Sequence, residues 1–168
     1  MINSRIILLV TALTTTAVPL MAAEVVTYLG SEGSVRDFYV NAIYDAEYEI
    51  KVAMDRFTDY ALAEALIHAA KYGREVYVIV DGDRENVLKG AAISDYLSDG
   101  GVEVMLNKTE FRLFDRFAII DETMVIVGGY PFVEDAGDSP MNDLVAIEDP
   151  DVAAVYADHF DYLWNLTK

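Results

Sequence analysis

The chain contains no cysteine in its 168 residues. Disulfides, thiolate metal sites, cysteine nucleophiles and lipid attachment at cysteine are therefore excluded, and stability must come from an apolar core. Histidine is scarce, with two copies. His68 and His159 fall on separate predicted helices without ligand spacing, so no metal site is indicated. Positive charge is scarce too: 12 Lys and Arg stand against 29 Asp and Glu, a formal net charge of −17. A surface of that sign repels phosphate backbones and anionic membranes at long range, which disfavours general nucleic-acid binding. Beyond the first 23 residues no run is long and apolar enough to span a bilayer. There is no internal repeat, low-complexity tract or linker, so residues 24–168 are expected to form a single domain.

What is present begins with an apolar leader. Residues 1–23 carry one early positive charge, Arg5, then Ile6 to Val10, a Thr/Ala-rich stretch, and small residues at Ala22 and Ala23. This is the layout of a secretory signal peptide cleaved near Ala23, or of an uncleaved N-terminal anchor. Either case predicts export, to a periplasmic or extracellular location. Membrane contact is expected only through residues 1–23, if they are retained.

The rest alternates between two periodicities. Strands are predicted at Val25–Leu29, Glu49–Met54, Glu75–Val80, Val102–Leu106 and Leu144–Ile147. Helical stripes follow Ser31–Ser34 (Val35, Phe38, Tyr39, Ala42, Ile43), cover Tyr60–Tyr72, and run from Asn86 to Leu97. A last helix opens at Asp149-Pro150, N-cap and N1, with the stripe Val152, Val155, Tyr156, Phe160, Leu163 and Trp164. Its aromatic line is expected to be core packing. Gly73 and Gly100-Gly101 are helix stops. Asp81-Gly82-Asp83-Arg84-Glu85-Asn86 has acidic groups at alternate positions, but lacks the glycine and closing glutamate of a calcium loop; a polar turn is the expectation. Alternation of strands and helices predicts an α/β domain with helices covering a central sheet.

The stretch from Arg112 to Pro131 holds the chemistry. Phe117–Ile120 and Met124–Val127 are apolar, β-branched runs joined at Asp121-Glu122-Thr123, a buried hairpin ended by Gly128 and Gly129. Phe114 and Arg116 are expected on one strand face and Asp115 on the other.

This stretch resembles the phospholipase D superfamily, and most of all its small single-motif bacterial endonuclease-like members. Their motif is His-x-Lys, four residues, Asp, six residues, Gly-Ser-x-Asn. Asp121 and Gly128 keep that frame. Met54–Asp59, Ile147–Pro150 and Phe160–Trp164 are also similar to family segments. The resemblance implies an αβα sandwich with a mixed central sheet flanked by helices on both faces. It also implies a homodimer, because single-motif members build one site from two chains, with Phe114 of both copies near the twofold axis.

The resemblance further implies a catalytic histidine that attacks phosphorus, and here that position is Phe114. The lysine position is Arg116, the serine position Gly129, the asparagine position Pro131, and the later acidic position falls on Asn142, with Asp143 beside it. A phenyl ring cannot act as a nucleophile, and a guanidinium stays protonated. The motif is thus degenerate, and the expectation is a catalytically inactive domain that works by binding or as a structural homodimer. The alternatives are an active phosphodiesterase using other residues, or an anion-binding module at Arg112, Arg116 and Lys108 for a phosphate-containing or other anionic ligand. No cofactor is implied.

Overall fold

The computed structural model describes residues 22–31, 34–82, 87–88, 91–136 and 139–168, with the backbone alone described at 87, 88 and 91. The leader, apart from Ala22 and Ala23, lies outside the described residues, as do Asp83–Asn86 of the acidic turn.

In chain order the elements are β1 (Glu24–Leu29), α1 (Val35–Asp45), β2 (Glu49–Met54), α2 (Tyr60–Lys71), β3 (Glu75–Asp81), β4 (Val87–Leu88) and β5 (Ala91–Ala92). They continue with α3 (Ile93–Asp99), β6 (Glu103–Asn107), β7 (Arg116–Ile120), β8 (Met124–Gly128), a 3-10 turn at Glu134–Ala136, β9 (Asp143–Glu148) and α4 (Pro150–Leu166). Seven strands form one mixed sheet in the order β1-β9-β8-β7-β2-β3-β6. β2, β3 and β6 are parallel, and the remaining neighbours pair antiparallel.

The helices divide unequally between the two faces. Val35, Tyr39 and Ile43 of α1, Leu62 and Leu66 of α2, and Ile93 and Leu97 of α3 pack with Ile50, Val52, Val78 and Ile120 in one core. On the other face Ala53, Ile79, Phe117, Ile119 and Val125 meet Ala153 and Phe160 of α4. The domain is therefore the α/β sandwich expected, with helices on both faces. The central strands read as near-continuous apolar runs because both of their faces are covered.

Local chemistry sets the boundaries. The Ser34 hydroxyl accepts from Asp37 N at 3.3 Å and opens α1. The Asp149 carboxylate accepts from Asp151 N and Val152 N at 2.9 and 3.1 Å, with Pro150 supplying no donor at N1. Asp59, only 1% exposed, accepts from Leu62 N at 3.2 Å, from Arg36 Nε at 2.6 Å and from the Tyr130 hydroxyl at 3.1 Å. Burial lowers the pKa of Arg36, but the hydrogen bond and charge of Asp59 outweigh it and the net shift is upward. Burial pushes the Tyr39 and Tyr130 phenols well above the usual tyrosine range.

Two expectations are corrected. The helix expected over Asn86–Leu97 starts only at Ile93, because Val87–Leu88 and Ala91–Ala92 pair as a short antiparallel ladder. A helix over this stretch would also hold a glycine in its interior, at a cost of about 1 kcal/mol relative to alanine. On α4, Val155 is not part of the inward stripe but 68% exposed, and Ala153 is buried instead. Tyr156, Phe160 and Trp164 do pack as core: Tyr156 stands edge-on to Phe117 at 5.2 Å, and Trp164 stacks on Phe160 at 5.7 Å.

The β7–β8 hairpin turns through Asp121 (φ 52°) and Glu122 (φ 55°), and Thr123 N donates to Ile120 O at 3.1 Å. Two consecutive positive φ values make this a type I′ turn, whose second central position favours glycine. Glu122→Gly should raise the unfolding free energy by about 1 kcal/mol by removing the left-handed penalty. The check is a urea melt, with Glu122→Gln as the control for loss of charge. A Glu122→Gly midpoint no higher than that of Glu122→Gln would contradict the assignment.

Candidate functional site

Of the motif positions, Phe114, Arg116, Gly128 and Gly129 lie where β2 and β8 end and β7 begins, whereas Asp121 lies at the opposite end of β7. β2 runs antiparallel to β7, with Met54 opposite Arg116. The chain then leaves β2 through Asp55, which is 1% exposed. Its carboxylate receives Arg116 Nε at 2.7 Å and Nη2 at 2.9 Å, a two-point fork, while Arg116 Nη1 donates to Gly129 O at 2.7 Å. The hydrogen bond from Asp55 holds the Arg116 guanidinium above its ordinary pKa, against the opposing pull of burial. Arg116 therefore spends at least three of its five donors inside the protein, and its charge is largely matched by Asp55.

Phe114 stands where the resemblance requires a nucleophile, and its ring is 70% exposed. Arg112 lies over that ring, with Cζ 5.6 Å from the centroid. The strand begins only at Arg116, so the expected alternation of faces over 112–115 does not apply. Phe114, Asp115 and Arg116 instead border one cavity of about 400 Å³, together with Phe117, Val127, Gly128 and Tyr156. Asp115 reaches to α4, where His159 Nε2 lies 3.3 Å from its Oδ1. Lys108, the third basic candidate, follows β6 beside Gly82 and does not border this cavity.

The two surviving motif residues have mechanical roles. The Asp121 carboxylate accepts from Glu47 N at 2.8 Å, Tyr48 N at 2.7 Å and Glu49 N at 3.0 Å, which fixes the entry to β2 at the end of the sheet remote from Phe114. A Cβ on Gly128 would stand 2.3 Å from Asp143 O and 2.7 Å from Leu144 Cα, so the β8–β9 pairing at that point admits glycine alone. A Cβ on Gly129 would meet the Asp143 carboxylate at 2.7 Å, an exposed side chain that can swing aside. Pro131 and Asn142 belong to a separate space. Both border a cavity of about 750 Å³ lined also by Arg56, Thr58, Tyr60, Glu134 and Asp135. Asn142 Nδ2 donates to Ala136 O. Among the described residues, no group of three or more His, Asp or Glu is placed to hold a metal ion, and no helix is long and apolar enough to cross a membrane.

Residues 39–164 match the family described as cardiolipin synthase, PLD-like domain. The chain belongs to the phospholipase D-like family. Two curated relatives are described as mitochondrial cardiolipin hydrolase. The protein from Chlamydomonas reinhardtii is 24% identical over 130 residues, 77% of this chain and 57% of its own length. The one from Xenopus laevis is 25% identical over 120 residues, 71% of this chain and 56% of its own. The phospholipase D-like chain thus spans less than two thirds of these relatives. Among solved structures, the phospholipase D family member Nuc from Salmonella typhimurium superposes with a TM-score of 0.77 at 24% identity, covering 88% of this chain and 97% of its own. NucT from Helicobacter pylori gives 0.74 at 17% identity, covering 86% of this chain and 97% of its own. At these identities both establish the fold.

Sequence reasoning missed the partner of Arg116. Two charged residues, Asp55-Arg56, directly after the apolar strand Glu49–Met54 were the available signal, since charge at the end of a buried strand has to be matched or solvated. It also set His159 aside as lying outside the motif, although the fold brings it to Asp115 beside the motif cavity. The Asp55–Arg116 fork should behave as a unit. Arg116→Ala should cost about 3 kcal/mol, because it strips a buried carboxylate of its main cation. Asp55→Ala with Arg116→Ala should cost less than the sum of the single changes. Additive losses in a double-mutant cycle of urea melts would refute the coupling.

Proposed function

We propose that this phospholipase D-like domain is an exported, catalytically inactive member of its family that works by binding or as a structural homodimer. The observation that carries this reading is the exposed phenyl ring of Phe114 at the nucleophile's position, beside an Arg116 whose charge is taken by Asp55. A phosphodiester needs a nucleophile activated at working pH and preorganised donors for the oxygens that gain charge. Phe114 supplies no nucleophile. Pro131 supplies neither a side-chain nor a backbone donor, and Gly129 supplies no hydroxyl. Anion binding at Arg112, Arg116 and Lys108 is less supported, because Arg116 is committed to Asp55 and Lys108 lies apart.

One observation favours phosphodiester hydrolysis as a second reading. His159 and Asp115 form a carboxylate-oriented imidazole beside the motif cavity, and such a pair can act as a general base. The activity test separates the two readings. Purified protein should not turn over bis(p-nitrophenyl) phosphate above background. Steady turnover abolished by His159→Ala would establish the second reading and remove the first. Any attempt to restore the motif with Phe114→His, Arg116→Lys, Gly129→Ser, Pro131→Asn and Asn142→Glu must also let Asp143 move away from position 129.

The homodimer places Phe114 of two copies at the seam. Supporting it are two exposed rings on one short segment, Phe111 at 64% and Phe114 at 70%. Each fully buried phenyl is worth about 1.5–3 kcal/mol. Phe114→Glu should weaken association at least tenfold by light scattering, and added salt should tighten the unmodified dimer by screening two acidic copies. A chain that is monomeric at micromolar concentration would exclude this seam.

A further inference from the structure

The cavity beside Arg56 is distinct from the one that Phe114 borders, and its lining carries charges of both signs. Most cations near the sheet end are committed. Arg36 holds Asp59, and Arg116 holds Asp55. Arg56 is exposed, borders the cavity of about 750 Å³, and makes no hydrogen bond or ion pair among the described residues. In a chain with 29 acidic residues against 12 basic ones, a guanidinium at a cavity wall with no carboxylate partner among the described residues is unusual.

The lining also carries acidic residues, and the segment that bears them is fastened in place. Glu134 and Asp135 both border the cavity and both are exposed. Arg36 Nη2 donates to the Glu134 carbonyl, and Asn142 Nδ2 donates to the Ala136 carbonyl, so the 3-10 turn is pinned at both ends through its backbone while its carboxylates remain available. The Arg56 wall is fixed to the next segment as well. Thr58 N and Asp59 N both donate to Phe132 O, at 2.6 and 2.8 Å, and Phe57 bridges Phe132 in parallel. Hydroxyls of Thr58, Tyr60 and Ser139 complete the lining.

We propose that this cavity binds a small zwitterion, whose phosphate or carboxylate pairs with Arg56 and whose ammonium group faces Glu134 and Asp135. An Arg fork suits either anion, and separated charges of both signs reward a ligand carrying both while penalising one that carries only one. The site rests on the reading of the domain as a binding module, in which the ligand is held and released unchanged.

Isothermal titration calorimetry with phosphoethanolamine, β-alanine, inorganic phosphate and ethanolamine tests it, with ³¹P NMR of the phosphoethanolamine after the titration. At least one zwitterion should bind ten times or more tightly than inorganic phosphate or ethanolamine. The order of phosphoethanolamine and β-alanine identifies which anion the site takes. Arg56→Gln should weaken that zwitterion at least tenfold, and Glu134→Gln with Asp135→Asn should do the same. All three positions are exposed, so the thermal midpoints should stay unchanged and report an intact fold. Equal affinity for inorganic phosphate and the zwitterions, no binding, or unchanged binding by folded Arg56→Gln protein would overturn the proposal. Binding followed by release of free phosphate would instead overturn the binding-module reading and leave the site's location standing.

Discussion

One carboxylate with three backbone donors fixes the seam on which the domain is built. Asp121 collects the N–H groups of Glu47, Tyr48 and Glu49, and so locks the β7–β8 hairpin against the start of β2. β2 is where the parallel half of the sheet meets the antiparallel half. With the register set at that end, the alternation of side chains delivers Met54 opposite Arg116 five residues further on, and the Asp55–Arg116 fork closes the other end. The same pairing that orders the core thereby decides what the motif end can present to solvent.

That end is organised around charge matching. A buried carboxylate at position 55 is tolerable only with a cation against it, and a guanidinium at position 116 reaches it with two parallel hydrogen bonds while a third holds the Gly129 carbonyl. An arginine so employed stabilises the junction of three strands and has little charge left for a ligand. Phe114 is left exposed under Arg112. Arg56, another cation without an ion pair among the described residues, borders a different space.

Much of the fold was legible because its signals are local. Strand-length apolar runs and the Asp149-Pro150 helix start each follow from a few neighbouring residues. The Asn86–Leu97 region was misjudged because its apolar spacing fits a helix, while the Val87–Leu88 ladder with Ala91–Ala92 needs a backbone pairing that spacing alone does not announce. The exposure of Val155 was likewise hidden: a helical stripe shows which residues share a side, but not which of them the sheet covers.

By itself the sequence determined the α/β class, the spacing of Asp121 and Gly128, and a phenylalanine rather than a histidine at position 114, because residue identity and spacing are sufficient for these. The tertiary structure alone decided that Arg116 is spent on Asp55, that His159 meets Asp115, and that Phe114 and Pro131 border different cavities. Those facts depend on contacts between residues 44 to 61 positions apart in the chain. Such distances are set by strand pairing and helix packing, which no local pattern encodes.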